Sequence, residues 1–289
     1  MKYTSLFFLL VLALSCFSFE SDNPAYNLFD GAGKQVSYKN MVEQATKADV
    51  VFFGENHDNP ICHWLELELT KDLYDAKKDN LILGAEMFEA DVQVTMNEYL
   101  NGYIKESAFK ENSRPWPNYE TDYKPLINFA KEHKIPFIAT NIPRRYASIV
   151  AAKGLEHLDS ILSKEARQWM ASLPIVFDSS LKCYKDMLGM KDPSHSGINV
   201  AKAQALKDAT MAYFILQNLG KGKTFLHYNG AYHSNNKEGI CWYLKQARPK
   251  LKIMTISSTE QENIHVLDKE SLNLADYIIC TPEDMYKTR

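Results

Sequence analysis

Short apolar runs alternate with stretches of helical spacing along most of the chain. A continuous apolar run bounded by turn residues is typical of a strand buried on both faces. Between these runs, apolar residues recur every three or four positions, as from Ile61 to Leu73 in a helix predicted from Pro60 to about Lys77. The predicted strands are Val50–Phe53, Leu81–Ala85, Ile135–Ala139, Lys223–Tyr228, Leu251–Ser257 and Asp276–Ile279. This alternation predicts an α/β fold with a three-layer core and a mostly parallel sheet.

The strand pattern stops in the middle of the chain. From Tyr146 to Gly220 helical spacing dominates, with prolines and glycines as breaks. We therefore predict an inserted helical subdomain at about 146–220, within one α/β domain that spans 19–289. Residues 19–36 are rich in Asn, Asp, Gly and Ser, which indicates a linker leading into an edge element around Tyr26 to Phe29.

The N-terminus has the pattern of a signal peptide, predicted over residues 1–18. A basic start is followed by an apolar run that is too short to span a bilayer. Residues 12–16 resemble a loose bacterial lipobox, in which Cys16 becomes the lipidated N-terminus, although ordinary cleavage near Ser18 is the alternative. The expected product is an exported lipoprotein of the cell envelope, attached to the membrane through the lipid on Cys16.

Composition narrows the classes of ligand. The 289 residues carry a net charge of −3 with acids and bases interleaved, so we expect no nucleic-acid partner. The aromatic content of 12%, with 16 Tyr and 4 Trp, suits a core and is compatible with a planar apolar ligand. No C-x-x-C pair occurs, which argues against a zinc knuckle. Whether the remaining cysteines form disulfides or buried thiols stays open; they are Cys62, Cys183, Cys241 and Cys280.

Candidate chemistry lies where the predicted strands end. The first strand leads into Gly54, Glu55 and His57, and the next strand ends at Glu86. A second Gly-x-x-His unit, Gly230 to His233, follows a later strand. Because parallel strands present their carboxyl ends at one rim of the sheet, we expect Glu55, His57, Glu86 and His233 to converge there, at rim rather than core positions.

Two histidines with two carboxylates suit either of two activities. Glu55, His57, Glu86 and His233 could bind a divalent metal ion whose bound water acts as the nucleophile of a hydrolase, or they could divide acid and base roles. The alternative is a satisfied polar cluster that stabilises the sheet rim. Arg144 is expected at the edge of this cluster, because Arg144 and Arg145 open a predicted helix after another strand, where they suit a carboxylate or an oxyanion.

Three further features stand out in loops and helices. Trp116 lies between two prolines, which suggests a stiff wall that either packs or contacts a ligand. His195 stands in a polar loop and is by pattern a surface residue. Gln204 and Asp208 lie one helical turn apart and share a face.

With these residues in place, the sequence resembles the ChaN-like family of haem-binding bacterial lipoproteins, which are tied to iron uptake and belong to the Tiki superfamily. The resemblance covers nearly the whole mature chain. One departure is Tyr232, since the family often has glycine before the last histidine. The blocks that carry the resemblance are Gly54–Pro60, Glu86–Phe88, Trp116–Leu126, Asn141–Arg144, Ala203–Ala212 and Gly230–His233.

The resemblance implies haem as the ligand, and it implies haem and iron uptake at the cell envelope. Haem needs an apolar slot, an axial Tyr or His and basic groups for its propionates. Arg145, with Arg144, would hold the propionates, and two protomers of a homodimer could enclose the macrocycle. The candidate axial ligands are Tyr146, Tyr213, Tyr232, His195 and His233. The superfamily also includes metal-dependent Tiki-type proteases and erythromycin esterases, which keeps the hydrolase hypothesis open.

Overall fold

The computed structural model describes residues 23–189 and 197–288. The predicted signal peptide, Cys16 and His195 lie outside these residues. Within them, seven strands form one sheet with the order β1-β7-β6-β2-β5-β3-β4. All neighbouring pairs are parallel except β1 with β7. The strands are β1 Asn27–Asp30, β2 Val50–Glu55, β3 Leu81–Glu89, β4 Phe137–Asn141, β5 Thr224–Gly230, β6 Ile253–Gln261 and β7 Tyr277–Pro282.

Helices pack on both faces of this sheet, which confirms the predicted α/β fold with a mostly parallel sheet. The strand β2 is central and pairs with β5 on one side and β6 on the other, so its apolar run is buried on both faces. The α-helices are α1 Tyr38–Ala45, α2 Pro60–Lys77, α3 Gln93–Leu100, α4 Glu106–Ser113, α5 Lys124–His133, α6 Arg144–Lys153, α7 Leu155–Ile161, α8 Lys182–Leu188, α9 Ile198–Asn218 and α10 Ile240–Ala247.

The helix α2 begins where the sequence predicts. The side chain of Asn59 accepts hydrogen bonds from the backbone N–H groups of Ile61 and Cys62, and Pro60 occupies the first helical position. The apolar side chains Leu65, Leu69 and Leu73 of α2 pack in the core. A strong cap thus fixes the direction in which the chain leaves the sheet rim after β2.

Within 146–220, the described residues 146–189 and 197–220 hold most of α6 together with α7, α8 and α9. The last of these helices also packs on the sheet, because Met211, Ala212 and Ile215 contact the core around Val50 and Phe52. The first half of α9 instead packs against α6. One long helix therefore spans the sheet layer and the helices beside it, and its side chains reach the rim of the sheet.

The four cysteines of the described chain, Cys62, Cys183, Cys241 and Cys280, are free and buried. Of the two outcomes left open by the sequence, the structure shows buried thiols. None of the helices in the described ranges has the length and apolar character needed to cross a membrane.

Candidate functional site

The two Gly-x-x-His units lie side by side because β2 and β5 are paired in register, with Glu55 opposite Gly230. A Cβ atom on Gly54 would lie 2.9 Å from the Cα of Ala231, and one on Gly230 would lie 2.7 Å from Nε2 of His57. Each glycine thus makes room for the other unit. The predicted meeting of the two motifs at the carboxyl ends of parallel strands is what the structure shows.

The side chain of Glu55 holds the His57 ring. Glu55 ends β2 with its side chain fully buried, and its Oε1 lies 2.7 Å from Nδ1 of His57. The hydroxyl of Tyr123 donates to the same oxygen at 2.7 Å. Burial lowers the pKa of His57, but the hydrogen bond to Glu55 and the negative charges of Glu86 and Glu55 outweigh it, so the pKa is raised.

The second histidine, His233, lies between two buried carboxylates. Its Nδ1 is 2.5 Å from Oδ1 of Asp208, and its Nε2 is 3.1 Å from Oε1 of Glu86. Tyr184 donates its hydroxyl proton to the other oxygen of Asp208 at 2.7 Å, and the backbone N–H of Gly230 donates to Glu86 at 2.9 Å. Both ring nitrogens of His233 are therefore engaged.

The contacts of His233 with buried carboxylates shift the pKa values of His233 and Glu86 in opposite directions. Burial lowers the pKa of His233, but the charges of Glu86 and Asp208 outweigh it and raise that pKa to about 10. Burial would raise the pKa of Glu86, but the charge of His233 and its hydrogen bond lower it. The expectation of rim rather than core positions does not hold for burial, since His233 is only 5% exposed and Glu55 and Glu86 are buried as well. His57, with a side chain that is 32% exposed, does face solvent.

Two neighbouring cavities share His57 and Trp116, since both side chains line each of them. The first, here named the arginine cavity, has a volume of about 810 Å³ and includes Arg114, Arg144 and Arg145. The second, here named the histidine cavity, has a volume of about 710 Å³. Its polar lining comprises Glu55, Asn56, His57, Asp58, Glu86, Gln204, Lys207, Tyr232, His233 and Glu260. The four predicted site residues thus line one cavity, and Arg144 lies in the adjacent one.

The family of the chain follows from a comparison with family models. The model described as haem-binding uptake, Tiki superfamily, ChaN matches residues 41–244. This chain belongs to the ChaN family. The match includes both Gly-x-x-His units and the helices between them, and it confirms the resemblance seen in the sequence. A search of curated proteins found no match.

Solved structures of related fold include ChaN of Campylobacter jejuni, described as binding haem cofacially, with a TM-score of 0.65 and 18% identity over 89% of this chain and 97% of that chain. A succinoglycan biosynthesis protein has a TM-score of 0.50 and 14% identity, covering 84% and 90% of the two chains. The erythromycin esterase EreC has a TM-score of 0.50 and 10% identity, covering 90% and 98%. At these identities the likeness shows a shared fold.

The remaining ChaN-family candidates take separate positions. Arg144 begins α6, is exposed and has no ion pair within the described ranges. Arg145 forms an ion pair of 2.7 Å with Asp91, and its guanidinium lies 4.6 Å from the ring centre of Tyr146. The hydroxyl of Tyr232 donates to the carbonyl of Cys183. Tyr213 packs against Phe214 on α9 and lines neither of the two cavities.

Several site residues were missed in the sequence. Arg114 pairs with Glu89 and Asp91 beside the arginine cavity. The residues Asp208 and Gln204, noted only for sharing a helix face, both contact His233. Beneath His57, the α2 residues His63 and Glu66 are buried. The available signal was three polar residues, His63, Glu66 and Thr70, at helical spacing on the inner face of α2.

Two kinds of chemistry fit this arrangement. A histidine whose Nδ1–H donates to a carboxylate keeps its Nε2 lone pair available to accept a proton or bind a metal. The arginine cavity offers guanidinium groups beside an indole ring, which suits a flat ligand with carboxylates. The joint metal ligation by His57 and His233 stays a prediction, and both ring nitrogens of His233 lie within hydrogen-bond distance of carboxylates.

Proposed function

We propose that this chain binds haem in the arginine cavity and takes part in haem and iron uptake at the cell envelope. The observation that carries the proposal is the combination of Arg144 and Trp116 in the wall of one open cavity. Membership of the haem-binding uptake family supports it, as does the solved ChaN of Campylobacter jejuni, which is described as binding haem cofacially.

The arginine cavity meets the chemical needs of haem. Its volume of about 810 Å³ lies in the usual range for ligand pockets, and Met87, Pro115, Trp116 and Pro117 give it an apolar wall. Arg114 and Arg145 are already paired with the carboxylates of Glu89 and Asp91. Arg144 has no such partner in the described chain, so it is the group we propose for a haem propionate.

The axial ligand is proposed to be a Tyr or His. Among the candidates from the sequence, His233 and Tyr232 have their polar atoms engaged by other groups. His57 lines the arginine cavity, and its Nδ1 is held by Glu55. A ligating histidine is usually oriented in this way by a carboxylate. We therefore propose His57 as the iron ligand in the arginine cavity, which the candidates Tyr146, Tyr213, Tyr232 and His233 do not line.

Replacing Arg144 with Ala is expected to weaken haem binding about tenfold to a hundredfold, because a hydrogen bond to a charged group contributes about 1.5–3 kcal/mol. Titration of the haem-free protein with haemin, followed at the Soret band, gives the dissociation constant. Lys153→Ala is the matched control, since Lys153 is an exposed cation at the other end of α6. Equal affinities for the two variants would contradict the propionate role, and a wild-type chain without a saturable Soret change would contradict haem binding.

A second candidate function is hydrolysis in the histidine cavity. The specific observation is the Glu55–His57 pair, which faces a cavity that also holds Gln204 and Lys207. An imidazole oriented by a carboxylate is competent as a general base, and amide and ammonium donors can stabilise an oxyanion. The predicted metal-assisted mechanism stays a proposal, with His57 as its accessible imidazole.

If the chain is a hydrolase, His57→Ala is expected to lower the rate of ester hydrolysis by about a hundredfold to ten-thousandfold, the usual contribution of a general base. A panel of nitrophenyl esters measures this rate. The control is His265→Ala, which removes an exposed histidine that lines neither cavity. This variant should retain the full rate. Absence of turnover in the wild-type chain, or equal turnover in both variants, would exclude this function for the esters tested.

Export, lipidation of Cys16 and a homodimer remain predictions from the sequence. The mass of the N-terminal peptide from a membrane fraction tests the lipid, since an unmodified terminus beyond Cys16 would contradict it. A lipid on Cys16 would hold the described domain at the membrane surface.

A further inference from the structure

A second group of ionisable side chains lies between the end of β2 and the inner face of α2. Glu55, His63 and Glu66 are buried, and each offers one ligand atom so that the three atoms lie within 4.8 Å of one another. Nδ1 of His63 is 3.0 Å from Oε2 of Glu66 and 3.7 Å from Oε2 of Glu55. Of this trio only Glu55 lines the histidine cavity, whereas His63 and Glu66 line neither cavity.

Two oxygen atoms of this trio have no hydrogen-bond donor. They are Oε2 of Glu55 and Oε1 of Glu66, and both side chains are fully buried. A buried carboxylate oxygen without a partner costs free energy, and such atoms in native proteins usually point to a water or an ion. The unpartnered oxygens belong to the same two carboxylates that flank the His63 ring.

We propose that Glu55, His63 and Glu66 bind a divalent transition-metal cation, such as Mn²⁺ or Zn²⁺. Carboxylate oxygens and a neutral imidazole nitrogen form a ligand set that these ions accept. The cation would balance the charge of the two carboxylates and give partners to both orphan oxygens. The predicted metal set at the rim shares only Glu55 with this one.

The surrounding hydrogen bonds suit a metal site. With Nδ1 of His63 facing the ion, its Nε2–H can donate to the carbonyl of His57, which lies 3.2 Å away. The second oxygen of Glu55 already accepts from Tyr123 and holds His57. Metal-binding side chains are typically oriented by such outer contacts.

The site would also connect to the cavities through Glu55. One carboxylate would bind the cation with Oε2 and the His57 ring with Oε1. A bound cation would therefore fix the position of Glu55 and, through it, the orientation of His57 in the wall of both cavities. The cation has a positioning role here and does not contact a ligand in either cavity.

The competing explanation is a proton shared between the two carboxyl groups. Without a cation, burial and then the negative charge of Glu55 raise the pKa of Glu66, so Glu66 would be neutral and could donate to Glu55. The two explanations differ for Glu66→Gln. This change removes a metal ligand, but it preserves a neutral side chain of the same shape that can still donate to Glu55.

The test is the metal content of the haem-free chain. Cells are grown with added Mn²⁺ or Zn²⁺, the purified protein is dialysed, and the bound metal is measured by mass spectrometry. We expect about one ion per chain in the wild type and at least tenfold less in Glu66→Gln. The control is Glu68→Gln, which changes a partly exposed carboxylate on the same helix and should retain the ion.

Thermal unfolding keeps the proposal testable if Glu66→Gln folds poorly. Removing the ion from the wild-type chain with a chelator should lower its melting temperature, and adding Mn²⁺ or Zn²⁺ back should restore it. Two results would overturn the proposal: a wild-type chain that holds no more metal than Glu66→Gln, or a melting temperature that does not respond to the chelator. Either result would favour the shared proton.

Discussion

Replacing His233 with Ala is expected to destabilise the fold by about 3–5 kcal/mol, the usual cost of removing one partner from a buried ion pair. The change leaves the carboxylates of Glu86 and Asp208 buried without the cation between them. Urea unfolding followed by circular dichroism measures the free energy of unfolding. The same change at His57 should cost about 1–2 kcal/mol, because its side chain is 32% exposed and Tyr123 still donates to Glu55.

The pH dependence of stability gives an independent check. The pKa of His233 is raised from 6.5 in the unfolded chain to about 10 in the fold. Its stabilisation is therefore fully present below about pH 6.5 and is lost as the pH rises through about 10. The difference in unfolding free energy between the wild type and His233→Ala should shrink over this window. A difference that stays constant from pH 6.5 to 10 would show that His233 is not held as a buried cation.

Much of the fold is predictable from local patterns. Six apolar runs matched strands, and Asn59 with Pro60 matched the start of α2, because burial on both faces and helix capping are short-range requirements. The sequence also places Glu55, His57, Glu86 and His233 together. The reason is that parallel strands share one rim whatever their order in the sheet.

Contacts between distant elements were not predictable in this way. The sheet order puts β5 between β2 and β3, and no local pattern reports that order. Asp208 contacts His233 because α9 packs on the sheet as well as against α6, and no local pattern reports that packing. The burial of His63 and Glu66 was not predicted, because both lie beside the apolar residues of α2 from which the helix itself was predicted. Arg114 lines the arginine cavity because it begins the loop 114–117, which also carries Trp116.

The glycines of the two Gly-x-x-His units differ in what surrounds them, because a methyl group added to each meets a different kind of neighbour. At Gly54 the added Cβ would lie 2.8 Å from the carbonyl oxygen of Ile256 and 2.9 Å from the Cα of Ala231. Both are backbone atoms, one in β6 and one in the turn that follows β5, and neither can move alone. Gly54→Ala is therefore expected to destabilise the fold by about 3 kcal/mol, at the upper end of the range for overpacking a core.

At Gly230 the added Cβ would instead meet the His57 ring, with Nε2 at 2.7 Å and Cε1 at 2.8 Å. A side chain that is partly exposed can rotate away, so Gly230→Ala should cost only about 1 kcal/mol of stability. The ring would, however, leave its hydrogen bond with Glu55 and its place in the wall of both cavities. The pKa of His57, measured by NMR titration, should then fall, since the hydrogen bond that raises it is broken. If Gly230→Ala unfolds as readily as Gly54→Ala, or if the pKa of His57 does not change, the two units are not packed against each other as the structure shows.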